Sequence, residues 1–341
     1  MSSRRHAGMG LVELMVWVTI SMLILIVIGI IYVGSKQLTR VNDTFSRMQE
    51  NGRFAIHLID RDLRMAGFRG CNGPSVTPLN ALNSTAYPYQ FAIAITGYHG
   101  TGGTWSPTLD SSISALNPAP AAGGDVVTIR HIDGPGVPLI AAMANSSADL
   151  QVGPSSQLAA GDVLIVADCS TAAIFNATSF DATSGTVGHE AGTAAVPGNS
   201  AQDLGHVFGP DASLYRLVTR TYFMAPSARQ PGTNSLWSHS VPAYDGQPQP
   251  EEMIEGVEGM ALLFGEDLDG KRAANRYVSA DGVGNWSNVV SVQAQVLLAT
   301  VRDNVATSPQ PYSFAGVSTT PTDKRMRSVL SSVVTVRNRV P

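Results

Sequence analysis

Residues 9–33 read MGLVELMVWVTISMLILIVIGIIYV, and this stretch decides the fold of the chain. From Leu14 to Val33 there are twenty consecutive residues without a formal charge. At a rise of about 1.5 Å per residue, a helix of that length crosses a hydrocarbon core of about 30 Å. The pattern therefore predicts a membrane-spanning helix, and the one carboxylate that interrupts the apolar run belongs to Glu13.

A short basic leader, residues 1–8, precedes the apolar run and ends in Gly8. A secretory signal places its small-residue cleavage site after the apolar segment, whereas the plausible junction here, Gly8/Met9, lies before it. Cleavage at that junction leaves the hydrophobic helix on the mature protein. The segment is therefore predicted to anchor the mature chain.

Charges on the two sides of the span bear on its orientation. Arg4 and Arg5 of the leader are expected to hold the N-terminus in the cytoplasm, because basic residues are retained on that side of a membrane. Lys36 and Arg40 lie beyond the span and weaken the asymmetry. The expected topology is a single pass of the inner membrane with the C-terminal domain in the periplasm.

The arrangement resembles the class III signal of type IV prepilins, in which a positive leader ends in Gly and the fifth mature residue is Glu. Gly8, Met9 and Glu13 occupy these places, and Met9 replaces the usual Phe. The resemblance implies that a prepilin peptidase cuts between Gly8 and Met9. It also implies N-methylation of the new amine of Met9.

The position of Glu13 has a physical reason of its own. An acidic side chain costs on the order of 2.5 to 3.5 kcal/mol at the bilayer centre and less near an end of the span, so it usually has a partner. In a filament of packed helices we expect that partner to be the protonated amine of Met9, on the same or a neighbouring subunit. The alternative is an unpaired carboxylate at the membrane surface.

The helical pattern continues beyond the membrane. Apolar residues recur at spacings of three and four, which predicts an amphipathic helix with one face on a partner, widened by Phe54, Leu58 and Met65. Gly67 is placed to end the helix, since it can adopt the left-handed conformation. We expect a transmembrane half over residues 9–35 and an amphipathic half over residues 36–67, packed on a sheet; a helical linker or coiled coil is the alternative. The stripe comprises Leu38, Val41, Phe45, Met48, Gly52, Ala55 and Ile59, and the polar face carries Arg40, Asp43, Arg47, Glu50, Arg61 and Arg64.

Composition fits a secreted domain on a membrane stem. The formal charge is -4, which becomes about -6 once the two arginines of the leader are removed, so nothing indicates nucleic-acid binding. Only 14% of residues are charged, while 33 Gly and 20 Pro favour a loop-rich extracytoplasmic β protein. The two cysteines, Cys71 and Cys169, are expected to form one disulfide in an oxidising compartment; free buried thiols are the alternative.

Residues 68–341, which we call the head, carry the pattern of β structure. Strands are predicted wherever apolar and polar residues alternate between turn residues, and no strand–helix alternation is present, so the sheet should be mainly antiparallel. The expected fold class is α+β, type IV pilin-like, with a long N-terminal helix packed on this sheet. The candidate strands are residues 125–132, 162–167, 213–223, 289–300 and 329–337, and the long loops are residues 97–124, 176–210 and 304–322.

Motifs at both ends sharpen the family resemblance. The stretches QENGRFA at 49–55 and RDLRMAGFRGC at 61–71 resemble the signature of the PilW family of type IV pilus minor pilins. Later stretches also resemble that family, in the same order: YRLVTRTY at 215–222, GVEGM at 256–260, GED at 265–267, ANRYV at 274–278 and VRNR at 336–339.

A catalytic site is not apparent from the sequence. There is no nucleophile elbow, phosphate-binding Gly loop or His-Glu-x-x-His motif, so we expect neither enzyme activity nor a cofactor. The acidic run containing Glu266, Asp267 and Asp269 before Gly270 is interpreted as a charged hairpin turn, with a calcium loop as the alternative.

Three functions are compatible with these features. The family resemblance implies a nonenzymatic minor pilin whose head sits at or near the tip of the pilus at the cell surface. It would help to initiate assembly with other minor pilins, the major pilin and a large tip adhesin. The alternatives are a minor pseudopilin of a type II secretion system, and a single-span membrane protein with a periplasmic sensor or enzyme domain. A protein of the last kind should keep its leader and lack the carboxylate at Glu13.

Overall fold

A computed structural model describes residues 10–72, 76–154, 158–192, 196–242 and 249–339. It begins with one long helix, α1 (Leu11–Met65), of 55 residues. At about 1.5 Å per residue this helix is roughly 80 Å long. It ends just before Gly67, which has a φ of +68° and donates its backbone N–H to the Arg130 carbonyl at 2.9 Å. The predicted continuous helix and its glycine terminus are therefore both present.

The rest of the described chain is mainly β structure. Short helical turns occur at Tyr87–Tyr89, Ser111–Ser114, Ala280–Gly282, Trp286–Asn288 and Arg337–Arg339. The strands are β1 (Leu79–Asn80), β2 (Ile95–Gly100), β3 (Trp105–Ser106), β4 (Val126–Pro138), β5 (Leu150–Gln151), β6 (Val163–Ala167), β7 (Ala172–Asn176), β8 (Ser179–Asp181), β9 (Thr186–Gly188), β10 (Ser213–Pro226), β11 (Asn234–Val241), β12 (Glu251–Glu255), β13 (Val257–Glu266), β14 (Arg276–Val278), β15 (Val289–Ala299), β16 (Tyr312–Phe314), β17 (Val317–Thr319) and β18 (Arg327–Thr335).

Two sheets organise the head. The larger has the strand order β1-β7-β6-β10-β4-β2-β3, and β11 and β12 extend it beside the second half of β10. The smaller has the order β14-β13-β15-β18. Strands β5, β9 and β8 form a separate small sheet, and β16 and β17 form a hairpin. Among the described strand pairs only β1–β7 is parallel, which confirms a mainly antiparallel α+β fold.

The C-terminal half of α1 packs on the smaller sheet. Gly52 brings the helix backbone close to the side chains of Leu298 on β15 and Leu330 on β18. Together with residues of β4, β10, β11 and β13, this contact forms the main apolar core. The helix residues buried in it are Met48, Gly52, Ala55, Leu58, Ile59 and Leu63. The alternative of a free linker or coiled coil does not describe this half of the helix.

The strand β15 follows directly from its sequence pattern. Val292, Ala294 and Val296 face the helix in the main core, whereas Gln293 and Gln295 between them are partly exposed. A period of two places alternate side chains on opposite faces of a sheet. The predicted strand at 289–300 is observed at Val289–Ala299.

Two predictions were wrong in part: that the whole apolar stripe of the helix is buried, and that three long segments of the head are loops. Leu38, Phe54 and Phe45, assigned to the buried stripe, are 61%, 52% and 36% exposed, and burial of the stripe begins at Met48. Phe54 lies one residue before the buried Ala55 and is turned about 100° from it around the helix, so it leaves the sheet-facing side. The predicted long loops also contain regular structure, including β3 within residues 97–124, β8 and β9 within 176–210, and the β16–β17 hairpin within 304–322.

Candidate functional site

The N-terminal half of α1 extends beyond the head without cover. Every large apolar side chain of residues 11–33 is at least 45% exposed, and Trp17 and Leu25 reach 60% and 67%. Within the described residues, this is a helix long and apolar enough to cross a membrane, and none of its apolar window is buried in the protein. Such a surface is not stable in water, since burying a large apolar side chain is worth about 1.5 to 3 kcal/mol. It must be covered by lipid or by other helices.

Glu13 lies in the first turn of this exposed helix. The first turn carries unpaired backbone N–H groups and a partial positive charge, which favours an acidic side chain there. Gly8 and Met9 lie outside the described residues, so cleavage of the leader, methylation and pairing with the Met9 amine stay predictions. The side chain of Glu13 itself is exposed and is free to meet a partner from another chain.

A buried charged cluster fixes the other end of the helix to the larger sheet. Asp62 of α1 accepts a hydrogen bond at 2.9 Å from Arg220 Nη1 and one at 2.7 Å from Tyr222 Oη, both on β10. His131 Nε2 on β4 is 3.6 Å from the same carboxylate oxygen. We call these four residues the Asp62 cluster. The Asp62 side chain is 2% exposed and that of Arg220 is 11% exposed.

Protonation in the Asp62 cluster is set by burial and by these contacts. Burial raises the pKa of the Asp62 carboxyl, but the attraction of His131 when protonated, the Arg220 guanidinium and the Tyr222 hydroxyl outweigh it, so the pKa lies below its ordinary value. Burial lowers the pKa of His131, against the attraction of Asp62. At neutral pH His131 is therefore uncharged, and the positive charges beside Asp62 are those of Arg220 at 2.9 Å and of the more exposed Arg61 at 3.1 Å.

The tautomer of His131 follows from its backbone contact. Nδ1 is 2.7 Å from the Ile132 carbonyl, which can only accept, so Nδ1 carries the proton. Nε2 then faces Asp62 as a lone pair and has no hydrogen-bond partner in the described structure. A second proton on the ring would turn this nitrogen into a donor toward the carboxylate.

The Asp62 cluster is not among the sites predicted from the sequence. Asp62 lies next to the exposed Arg61 on a helix face rich in charge, yet it is seven residues after Ala55 and three after Ile59, the spacing of the buried stripe. Arg220 and Tyr222 are two residues apart and so share one face of their strand. These spacings were the available signal.

Three further contacts hold the end of α1 against the head. Asp60 accepts a hydrogen bond from Ser332 Oγ of β18 at 2.6 Å. Asn338 Nδ2 donates to the Ala66 carbonyl at 3.0 Å, next to the end of the helix. Asn51 Nδ2 donates to the Glu255 carbonyl at 3.4 Å. Because both sheets and the C-terminal segment hold it, the helix and the head form one rigid unit.

The disulfide lies next to this junction. Cys71, six residues after the end of α1, is bonded to Cys169 in the turn between β6 and β7, with 4.9 Å between their Cα atoms. The predicted pairing is confirmed, and the alternative of free thiols is excluded. The bond links the segment that follows the helix to the β6–β7 turn of the larger sheet.

The acidic run on β13 forms a turn whose carboxylates have internal partners. Glu266 is buried and takes two hydrogen bonds from Arg276, at 2.9 and 2.7 Å, and one from the Gly284 N–H at 3.0 Å. Asp267 accepts backbone N–H groups of the turn, and Asp269 pairs with Lys271 at 3.0 Å. In the described parts of the chain, no three His, Cys, Asp or Glu side chains are grouped to hold a metal ion. The geometry is that of a charged hairpin turn.

The stretch of sequence that is similar to a known family contains the smaller sheet, on which the helix packs. Residues 221–338 match the PilW family, Type IV Pilus-assembly protein W. The match includes Tyr222 of the Asp62 cluster and ends at Asn338, which binds the end of α1, and the resemblance to PilW is confirmed over residues 221–338. The motifs at 49–55 and 61–71 lie outside it.

Two other comparisons accompany the PilW match. No curated protein matches the sequence significantly. A solved structure of a type IV-like pilin from Thermus thermophilus is similar with a TM-score of 0.35 and 11% sequence identity, covering 86% of this chain and 98% of that one. The PilW match relates the C-terminal third of this chain to type IV pilus proteins.

Proposed function

We propose that this chain is a minor pilin: a nonenzymatic subunit that joins a type IV pilus through the exposed apolar half of α1. The observation that carries the proposal is the uncovered apolar helix of residues 11–33, held rigidly by a β-rich head that contains the PilW match. In the inner membrane, lipid covers this helix. In a filament, the helices of neighbouring subunits replace the lipid.

Glu13 favours the move of the helix from the membrane into the filament and sets its position there. A carboxylate at the end of an apolar span is stabilised by a positive partner, and the amine that leader removal creates at Met9 is four residues away in sequence. A subunit whose Glu13 meets the amine of its neighbour is held at one register along the filament. We therefore assign Gly8 and Met9 to processing and Glu13 to subunit assembly.

The finer role follows from the family resemblance. We infer that the subunit helps to initiate pilus assembly together with other minor pilins and the major pilin. We further infer that its head lies at or near the tip beside a large adhesin. The head faces the periplasm before assembly and the cell exterior afterwards, which agrees with its disulfide.

Processing of the leader is the first test. Intact-mass analysis of protein from cells with an active prepilin peptidase should give a chain that starts at Met9. A bulky residue in place of Gly8 should block cleavage, and Gly8→Ala should reduce it, because the peptidase needs a small residue before the junction. A chain that starts at Met1 in such cells would support the single-span membrane protein instead.

The second test separates a pilin from a pseudopilin. Affinity purification of the tagged chain from cross-linked cells should recover type IV pilus subunits. Recovery of type II secretion components in their place would contradict the pilus assignment. It would support a pseudopilin, which shares the leader and the helix.

A further inference from the structure

A groove lies beside α1 where the helix meets the base of the head. It has a volume of about 380 Å³ and runs along the helix from Arg40 to Asn51, opposite the chain that follows β15. Three arginines line it: Arg40, Arg47 and Arg302. We call it the arginine groove.

The arginines of this groove differ from the arginines of the head that form short ion pairs. Arg220, Arg276 and Arg327 are held by carboxylates at 2.6 to 2.9 Å. None of the ion pairs found in the described part of the chain involves a groove arginine, and all three groove arginines are exposed. Their guanidinium groups are therefore available to an external anion.

The groove keeps a net positive charge of one, because three arginines and two carboxylates line it. Asp43 and Glu255 also line the groove. Glu255 lies level with Asn51, since the Asn51 amide binds its carbonyl. Asn51 is eleven residues beyond Arg40, or roughly 16 Å along the helix, which exceeds the Debye length of about 8 Å at physiological salt. Glu255 therefore does little to neutralise Arg40.

Arg302 reaches the groove on the chain that follows β15. Leu298 near the end of that strand packs beside Gly52, and the chain continues from there through Thr300 and Val301 along the groove. Arg302 therefore lines the groove from the head, whereas Arg40 and Arg47 line it from the helix.

The distance from the end of the apolar span to Arg40 places its side chain near the headgroup layer. Arg40 is seven residues after Val33, or about 10 Å, and the polar layer on each side of the hydrocarbon core is about 5 to 8 Å thick. Side chains on a helix tilt toward its N-terminus, which here lies in the membrane, so the Arg40 side chain extends back toward the lipid. Lys36 lies between Val33 and Arg40, and its ammonium is 5.7 Å from the ring of Tyr32, an arrangement typical of a membrane surface.

We propose that the arginine groove binds the phosphate of an anionic phospholipid in the outer leaflet of the membrane that α1 crosses. This inference rests on the proposed function, because it requires α1 to span the membrane with the head outside. It also gives a role to Arg40, whose position on the far side of the span opposes the usual charge asymmetry. Before assembly, the lipid holds the head upright at the membrane; on entering a filament, the subunit releases it.

The test measures lipid selection by the full-length chain. The protein is purified in detergent, offered equal amounts of phosphatidylglycerol and phosphatidylcholine, and weighed by native mass spectrometry with its lipids attached. Wild type should retain phosphatidylglycerol preferentially. The variant Arg40→Gln/Arg302→Gln should lower that preference at least fivefold, since one basic residue near the surface contributes about 1 kcal/mol, or about a factor of five. Equal retention of the two lipids by wild type would overturn the proposal.

A matched control removes two other exposed arginines of α1. Arg53 and Arg64 are exposed, form no ion pair among the described residues and do not line the groove. The variant Arg53→Gln/Arg64→Gln carries the same net charge as the test variant and should keep the wild-type preference. An equal loss in both variants would show a general charge effect and would overturn the assignment to the groove.

Two measurements on the wild type do not depend on any variant. Raising the salt concentration should weaken the selection of phosphatidylglycerol, because salt screens exposed charges; an unchanged preference would contradict an arginine–phosphate contact. Inorganic phosphate at the same concentration as the lipid should leave the preference in place. Its displacement of the lipid would assign the groove to a free anion instead.

Failure of this inference is distinguishable from failure of the proposed function. A chain that enters filaments but shows no lipid preference refutes the lipid site alone. A chain that selects phosphatidylglycerol but never enters filaments refutes the pilin role alone.

Discussion

Asp62 on the helix and Arg220 on β10 are 158 residues apart in sequence and are joined by a 2.9 Å ion pair in the interior of the protein. The pair links the only long helix of the described chain to the larger sheet. This contact, the core around Gly52 and the adjacent disulfide attach the C-terminal half of α1 to the head.

Replacing Asp62 should damage the junction more than any other single change to the polar residues of α1. Asp62→Ala leaves Arg220 buried without its partner and should lower the free energy of unfolding by about 3 to 5 kcal/mol. Asp62→Asn, which keeps hydrogen-bonding atoms in place, should cost less. Thermal unfolding of the full chain in detergent measures both.

Asp43→Asn is the matched control for that series. Asp43 is an exposed acid of the same helix, and its change should alter stability by no more than about 0.5 kcal/mol. If Asp62→Ala melted at the same temperature as Asp43→Asn, the buried pair would not be what holds the helix to the sheet.

Stability should fall as the solution becomes acidic, and His131 should begin the fall. Burial depresses the pKa of folded His131, so its contribution is complete above the unfolded pKa of about 6.5 and is lost as pH falls through that value toward the folded pKa. Asp62, whose pKa is also lowered, adds a further loss below about pH 4.

The variant His131→Gln isolates the first of these phases. It cannot take up a proton, so its melting temperature should change less than that of wild type between about pH 7.5 and 5.5. The buried His189, whose pKa burial also lowers, is retained in both proteins and cancels in the comparison. Identical pH profiles for the two proteins would exclude His131 as the titrating group.

Much of this architecture can be predicted from local sequence patterns. The Asp62 cluster cannot, because its residues are distant in sequence. The helix, its end at Gly67 and the strand β15 follow from apolar periodicity and from one glycine, which are properties of neighbouring residues. The pairing of Cys71 with Cys169 follows because the chain has just two cysteines. Asp62, in contrast, is defined by His131, Arg220 and Tyr222, which reach it only after the sheet has formed.

The exposure of Phe54 shows that apolar periodicity also assigns some residues to the core that are not buried. An aromatic residue within a helical stripe is a reasonable core candidate, yet its direction around the helix turns it away from the sheet. Periodicity gives the buried face to within about one residue's rotation. The shape of the sheet that packs against the helix determines which residues at the edges of that face are covered.

Gly52 should be the least replaceable glycine of α1. A side chain there meets Leu298 and Leu330, whereas Gly34 has open space around it. Gly52→Leu should destabilise the head by about 1 to 3 kcal/mol through overpacking. Gly34→Leu provides the control, because both changes bring the same gain in helix propensity. Equal melting temperatures for the two variants would contradict the close approach of helix and sheet.

Loss of the disulfide should leave the fold recognisable but less stable. The bond closes a loop with a sequence separation of 98, for which the chain-entropy model gives up to about 4.7 kcal/mol. The double variant Cys71→Ser/Cys169→Ser should therefore melt well below wild type, while each single variant should also expose a free thiol. Nonreducing peptide mapping confirms the bond in the starting protein, and unchanged melting of the double variant would show that the core alone holds the head.

Glu13 should separate membrane insertion from filament assembly. Glu13→Ala makes the span more apolar, so insertion should be unimpaired. Incorporation into sheared filaments should fall roughly tenfold or more, equivalent to about 1.4 kcal/mol of lost pairing with the Met9 amine. The neighbouring exposed substitution Val12→Ala, which keeps the carboxylate, is the control. Equal amounts of Glu13→Ala and wild type in filaments would refute the assembly role.

Mass spectrometry of pili sheared from the cell surface and freed of membranes decides whether the chain is a filament subunit. A filament subunit should yield peptides of the head, the Cys71–Cys169 cross-linked peptide and an N-terminal peptide that begins at Met9. Abundant pili that lack this chain, with all of it remaining in the membrane fraction, would refute its role as a filament subunit.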